Sequence, residues 1–183
     1  STPTNQTALS FGVAFSEVVT GVSAADFVLE AAGPSGAHIT GVTGADIDYV
    51  VQVESGTGDG ALHLIVPVTA TIADYGGNPL AGLPYTSGQT YAIDRTAPAV
   101  LSIIRADPTP TAAAAVTFTV TLSEPVTGVG TGDFALSSVG VVGAFVESVS
   151  GSGTTYSVIV HTGDGIGTLR LDLHDDDTIQ DLA

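Results

Sequence analysis

The chain has 183 residues, 44% of them hydrophobic, with 23 glycines and a formal charge of −16. It contains no Cys, Met, Trp or Lys, and its only strong cations are Arg95, Arg105 and Arg170 against 19 carboxylates. This excludes disulfides, thiolate chemistry, cysteine metal sites and Schiff bases, and it argues against nucleic acid and anionic membranes, which need clustered cations.

The charge favours cations as partners, calcium above all, or serves only to keep an apolar-rich chain soluble. No run of about 18 apolar residues is present, so no membrane insertion is expected. No stretch reads as a signal peptide.

Apolar residues alternate throughout and no 3.6-residue period is sustained, which predicts an all-β chain. The first strand is predicted over 8–15, ending in Ser16-Glu17. A Gly/Thr/Ser-rich turn follows, then a strand from Asp26, one around 37–43, and its hairpin partner over 48–54. Gly56-Thr57-Gly58-Asp59-Gly60 reads as a tight turn into a strand at 61–66. Next come the loop Gly77-Asn78-Pro79-Leu80 and a strand Thr90–Asp94, with Tyr91 and Ile93 alternating. A short joint ends at Pro98, which fixes φ and holds Ala97 extended. Val100–Ile104 is the next strand. The series then recurs at 115–122, from Asp133, at 144–150, at 155–161 and at 168–173.

That recurrence is an internal duplication with a shift of 107 residues and no gap. Residues 1–76 laid on 108–183 agree at 31 of 76 positions. Phe15-Ser16-Glu17 answers to Leu122-Ser123-Glu124, Asp26-Phe27 to Asp133-Phe134, and Asp74 to Asp181. Tyr49, Val51 and Val53 match Tyr156, Val158 and Val160 while the residues between them drift. Leu62 and Leu64 match Leu169 and Leu171 around a variable centre. One face is held and the other varies, as expected of strands with one face on a core. The period suits one sandwich of about 100 residues per copy. Residues 77–107 occur once, so they close the first copy and open the second. By the same logic the first copy wants an opening strand and the second a closing one. Either the chain is a window on a longer array cut out of phase with its domains, or strands lent between neighbouring molecules give a filament by β-augmentation.

Ser123-Glu124-Pro125-Val126-Thr127-Gly128-Val129, Asp133-Phe134-Ala135-Leu136 and Val149–Tyr156 carry a further likeness. With them go Gly167–Leu173, Gly77-Asn78-Pro79-Leu80 and Tyr91–Pro98. Together these resemble the tandem bacterial Ig-like repeats of very large secreted or surface-anchored proteins, adhesin stalks among them. The resemblance covers essentially the whole chain. It implies two immunoglobulin-like Greek-key β-sandwiches end to end, 1–94 and 97–183, in an extracellular spacer or fibre, often cation-stabilised. The first copy departs from it at Val18, where the second has Pro125. It departs again at Ile65–Ala70, which holds no acid where the second copy has Asp172–Asp177.

The densest acidic run is Asp172, Asp175, Asp176, Asp177 and Asp181. Hard oxygen ligands crowded in a loop suit calcium, although the spacing is no EF-hand and a solvated acidic loop is the preferred account. Strands alternating up and down from the joint would also return Glu124, Asp133 and the Asp175–Asp181 loop towards Asp94. These carboxylates would then share a cation, in a way that resembles cadherin-type arrays. Otherwise Asp94 pairs with Arg95 or Arg105, or caps a turn. Asn5-Gln6-Thr7 is the one glycosylation sequon. His38, His63, His161 and His174 are scattered and read as surface residues. Phe27, Phe134, Tyr49 and Tyr156 recur in both copies and read as core. No activated nucleophile or acid–base pair is visible, so no enzyme is expected. The expected role is a structural segment of a bacterial surface fibre, with a glycan- or receptor-binding adhesion module as the alternative.

Overall fold

A computed structural model describes residues 3–174 and 176–183. It is built of antiparallel sheets, with one-turn 3₁₀ segments as the only helical structure among these residues. The residues group into two compact units, the first ending at Thr96 and the second running from Ala97 to Leu182.

In the first unit β1 (Ala8–Ala14), β5 (Asp48–Glu54) and β4 (His38–Ala45) form one sheet in that order. β3 (Val28–Ala32), β6 (Gly60–Ile65) and β8 (Thr90–Ile93) form another, and the short β2 (Val19–Thr20) pairs with β7 (Ala73–Asp74). Phe11, Val51 and Val53 from the first sheet meet Leu62, Leu64 and Ile93 from the second in one buried cluster. This is consistent with a β-sandwich: each strand's alternate residues turn to a shared core.

The second unit places β10 (Ala115–Val126) between β12 (Phe145–His161) and β9 (Val100–Arg105), and pairs β11 (Phe134–Val142) with β13 (Asp164–Leu173). Its core joins Val120, Leu122, Tyr156, Val158 and Val160 to Phe134 and Leu171. The duplication extends to register. Val13 lies opposite Tyr49 and Val120 opposite Tyr156; Leu29 lies opposite Leu64 and Leu136 opposite Leu171.

Three expectations are corrected. The strand predicted from Asp26 begins at Val28, because Ala24–Asp26 is a 3₁₀ turn. The two strands predicted at 144–150 and 155–161 run together as β12, which folds back where Gly151, at φ +133, sits against the backbone of Thr155 and Tyr156. Only glycine accommodates both the positive φ and that approach. His63 and His161 are half-buried rather than fully at the surface; His161 stacks on Phe145 with ring centroids 5.0 Å apart. Phe27, Phe134 and Tyr156 are buried and Tyr49 packs against the core.

Candidate functional site

The most constrained polar groups are two buried carboxylates in equivalent places. Asp26 is 2% exposed and Asp133 is 1% exposed. Ser23 opens the 3₁₀ turn, so its amide and hydroxyl both point back at the Asp26 carboxylate, donating at 2.9 and 2.8 Å. The other carboxylate oxygen receives the Thr71 amide at 2.6 Å and the Thr71 hydroxyl at 3.0 Å. Burial alone would raise the Asp26 pKa. The hydrogen bonds from Thr71 and Ser23 outweigh it and hold the carboxyl below its ordinary range. In the second unit the Gly130 amide donates to Asp133 at 2.6 Å, and the Thr178 hydroxyl, 3.1 Å from Asp133 and 2.7 Å from Asp176, shares its one proton between the two carboxylates. Gly130 has no hydroxyl to match that of Ser23, and Thr178 meets Asp133 through its hydroxyl where Thr71 uses both amide and hydroxyl on Asp26. A second repeated fixing is the tyrosine hydroxyl on the core strand: Tyr49 donates to the Val19 carbonyl at 3.4 Å and Tyr156 to the Val126 carbonyl at 2.9 Å. Each unit thus ties its first turn to a segment 45 residues further on through a charge-assisted bond.

The other acids expected to bind a metal are divided between the two units. Asp94 belongs to the first unit, and Glu124 and Asp133 to the second. The Asp94 carboxylate accepts the Thr96 amide at 3.1 Å, which caps the turn there. Glu124 lies half-buried on β10. Asp176 and Asp177 are exposed and Asp181 is half-buried; Asp176 accepts the Thr178 hydroxyl at 2.7 Å. Asp172 is bridged by Arg170 at 2.7 Å and bonded by Ser137, and both hold its carboxyl below the usual range. Asp175 lies outside the described residues. Among those residues no group of three or more His, Asp or Glu side chains is arranged to hold a metal ion. Asn5 is exposed.

Arg95, which the sequence offered as a partner for Asp94, has a larger task within the first unit. Its guanidinium donates to the Gly58 carbonyl at 2.9 Å, the Gln6 carbonyl at 3.2 Å and the Ser55 hydroxyl at 2.6 Å. Ser55 is fully buried, and its hydroxyl also reaches the Gln6 and Thr7 carbonyls. Asp59 takes the Arg95 amide at 2.6 Å and the Thr96 hydroxyl. That hydroxyl, then the amide, lowers the Asp59 pKa. The end of β8 is therefore pinned to the glycine turn before β6 and to the segment leading into β1. The glycine turn was legible in the sequence. Its use as a socket for an arginine 37 residues away was not.

The first unit also carries a groove of about 910 Å³ between β1 and the segment from Leu80 to Tyr91, floored by Leu64 and Val66. Phe11 and Tyr91, both in its lining, meet edge to face with centroids 5.0 Å apart. Comparison with family models, with curated proteins and with solved structures yields no match to this chain.

Proposed function

We propose that the chain is a structural repeat segment of an extracellular bacterial surface protein or fibre. In this reading its two units are tandem immunoglobulin-like Greek-key sandwiches and the protein performs no catalysis. The supporting observation is that the duplication preserves the internal fixings together with the core. The same buried aspartate, the same threonine 45 residues on and the same tyrosine hydroxyl recur in both units. Fixings that join residues distant in sequence resist stepwise peeling of strands, which suits a segment under tension. Arg95 adds such a fixing at the end of the first unit. Three arginines and no lysine leave trypsin-like proteases few cuts, and the absence of Cys, Met and Trp leaves few oxidation targets. Calcium enters as a stiffening ion for the acidic segment, and calorimetric titration of the purified chain tests it.

Immunogold labelling of intact cells that make the protein tests the role itself. Label along thin surface projections is the expected result. Label confined to the cell interior would overturn the reading. Saturable binding of the isolated chain on a glycan array would favour the adhesion module instead.

A further inference from the structure

A folded chain is cut where its backbone is free to lie extended in a protease cleft and the side chain that the cleft reads is within reach. Trypsin-type clefts read a cationic side chain through a carboxylate at the base of the pocket, and this chain offers three arginines. Arg105 is exposed at the end of β9. Arg170 lies within β13, whose backbone is paired to β11. Arg95 stands one residue before the end of the first unit, and Thr96 and Ala97 after it are exposed. By position in the chain it is the arginine at which a cut would leave the strands of both units whole.

Separate ties close that position. The Arg95 guanidinium is spent on the Gly58 and Gln6 carbonyls and the buried Ser55 hydroxyl. The Arg95 amide donates to one oxygen of Asp59 at 2.6 Å, and the Thr96 hydroxyl to the other. One carboxylate therefore grips the chain on both sides of the bond between Arg95 and Thr96. The Thr96 amide is held in turn by Asp94 at 3.1 Å. Further on, the Ala99 amide donates to the Ser123 hydroxyl and the Ser123 amide to the Ala99 carbonyl, each at 2.8 Å. Ala97 and Pro98 lie between these fixed points, and the ring of Pro98 fixes its φ. None of the groups that hold Arg95 and Thr96 belongs to the buried apolar cluster of the first unit. This end of the chain can lift while the core stays packed.

We propose that the bond between Arg95 and Thr96 is a gated processing site, cut by a protease with an arginine-reading pocket and kept shut by an Asp59 strap. In the cut, water adds across the amide. Its oxygen joins the Arg95 carbonyl carbon, the carbon–nitrogen bond breaks, and the Thr96 nitrogen leaves as an amine carrying the proton. The strap decides when this happens. The protease competes with Gly58, Gln6 and Ser55 for the guanidinium, and the end of β8 must first leave Asp59.

The test is limited digestion of the whole 183-residue chain with trypsin at neutral pH, the products being identified by mass spectrometry. In the parent, cleavage after Arg105 is expected to precede cleavage after Arg95. Asp59→Ala is expected to raise the rate after Arg95, relative to that after Arg105, by at least about tenfold, because cleavage tracks the open fraction and two charge-assisted bonds are lost. Asp59→Asn keeps one acceptor and gives a smaller rise. Hydrogen exchange is expected to quicken at the Arg95 amide in both variants and to stay unchanged on β5. Asp26→Asn is the control, since it weakens the first unit without touching the strap. Cleavage after Arg95 in the parent as fast as after Arg105 would overturn the proposal, as would an unchanged ratio in Asp59→Ala. So would a rise in Asp26→Asn equal to that in Asp59→Ala, because the site would then open by unfolding of the whole unit. None of these outcomes bears on where the protein resides in the cell, so the strap and the fibre role stand or fall separately.

Discussion

Replacing Asp26 by alanine removes the acceptor for four hydrogen bonds: two from Ser23 at 2.9 and 2.8 Å and two from Thr71 at 2.6 and 3.0 Å. Bonds to a charged group are worth about 1.5–3 kcal/mol each, and a buried donor left without a partner costs about 1–3 kcal/mol. The four bonds come from two residues and are not independent, so we expect Asp26→Ala to destabilise the first unit by about 3–5 kcal/mol. A unit of this size shifts about 4–8 °C in Tm per kcal/mol, so its melting transition falls by at least about 12 °C. Asp26→Asn keeps an acceptor for Thr71 but turns an amide donor on Ser23, and its loss is intermediate. The pH dependence separates charge from packing. The folded-state pKa of Asp26 is depressed, so the unfolded chain binds the extra proton as pH falls. The stabilisation is present in full above the ordinary carboxylate range near pH 4. It is lost as pH falls through the lower, folded value. Calorimetry and circular dichroism of the full chain between about pH 3 and 7 should therefore show a steeper acid limb in the parent than in Asp26→Asn. An Asp26→Ala variant within about 1 kcal/mol of the parent, or identical acid limbs, would refute the reasoning.

Other changes are graded by the same structure. Tyr156→Phe loses a buried bond of 2.9 Å and Tyr49→Phe a part-buried one of 3.4 Å. Chemical denaturation should show about 1 kcal/mol for the first and less for the second. Arg95→Ala strips the buried Ser55 hydroxyl and two carbonyls of a charged donor. It should cost about 1–3 kcal/mol and speed amide exchange at Ser55 and Arg95, while Arg95→Lys, a point charge without the fork, rescues little. Gly128 and Gly143 both have positive φ, but a Cβ on Gly128 would strike the Thr178 backbone while one on Gly143 meets open space. Gly143→Ala should cost about 1–2 kcal/mol from the left-handed backbone alone, and Gly128→Ala distinctly more, as read from thermal melts.

The amino-acid sequence by itself determined the all-β character, the duplication and the core face of most strands. These depend on alternation and glycine placement within a few residues, and a residue's side of a strand follows from counting in twos. The repeat even carried the signal for the buried anchor, since Asp26 and Thr71 are both kept as Asp133 and Thr178. The roles of those residues were not legible, because an aspartate that coordinates a cation and one that ends in backbone amides have the same letter. Only the tertiary structure brought Thr71 to Asp26, 45 positions away, and seated Arg95 on Ser55, 40 positions away. It likewise decided that Asp26 closes a turn where a strand was expected. Which distant groups meet is settled by how sheets stack, and no local pattern records that.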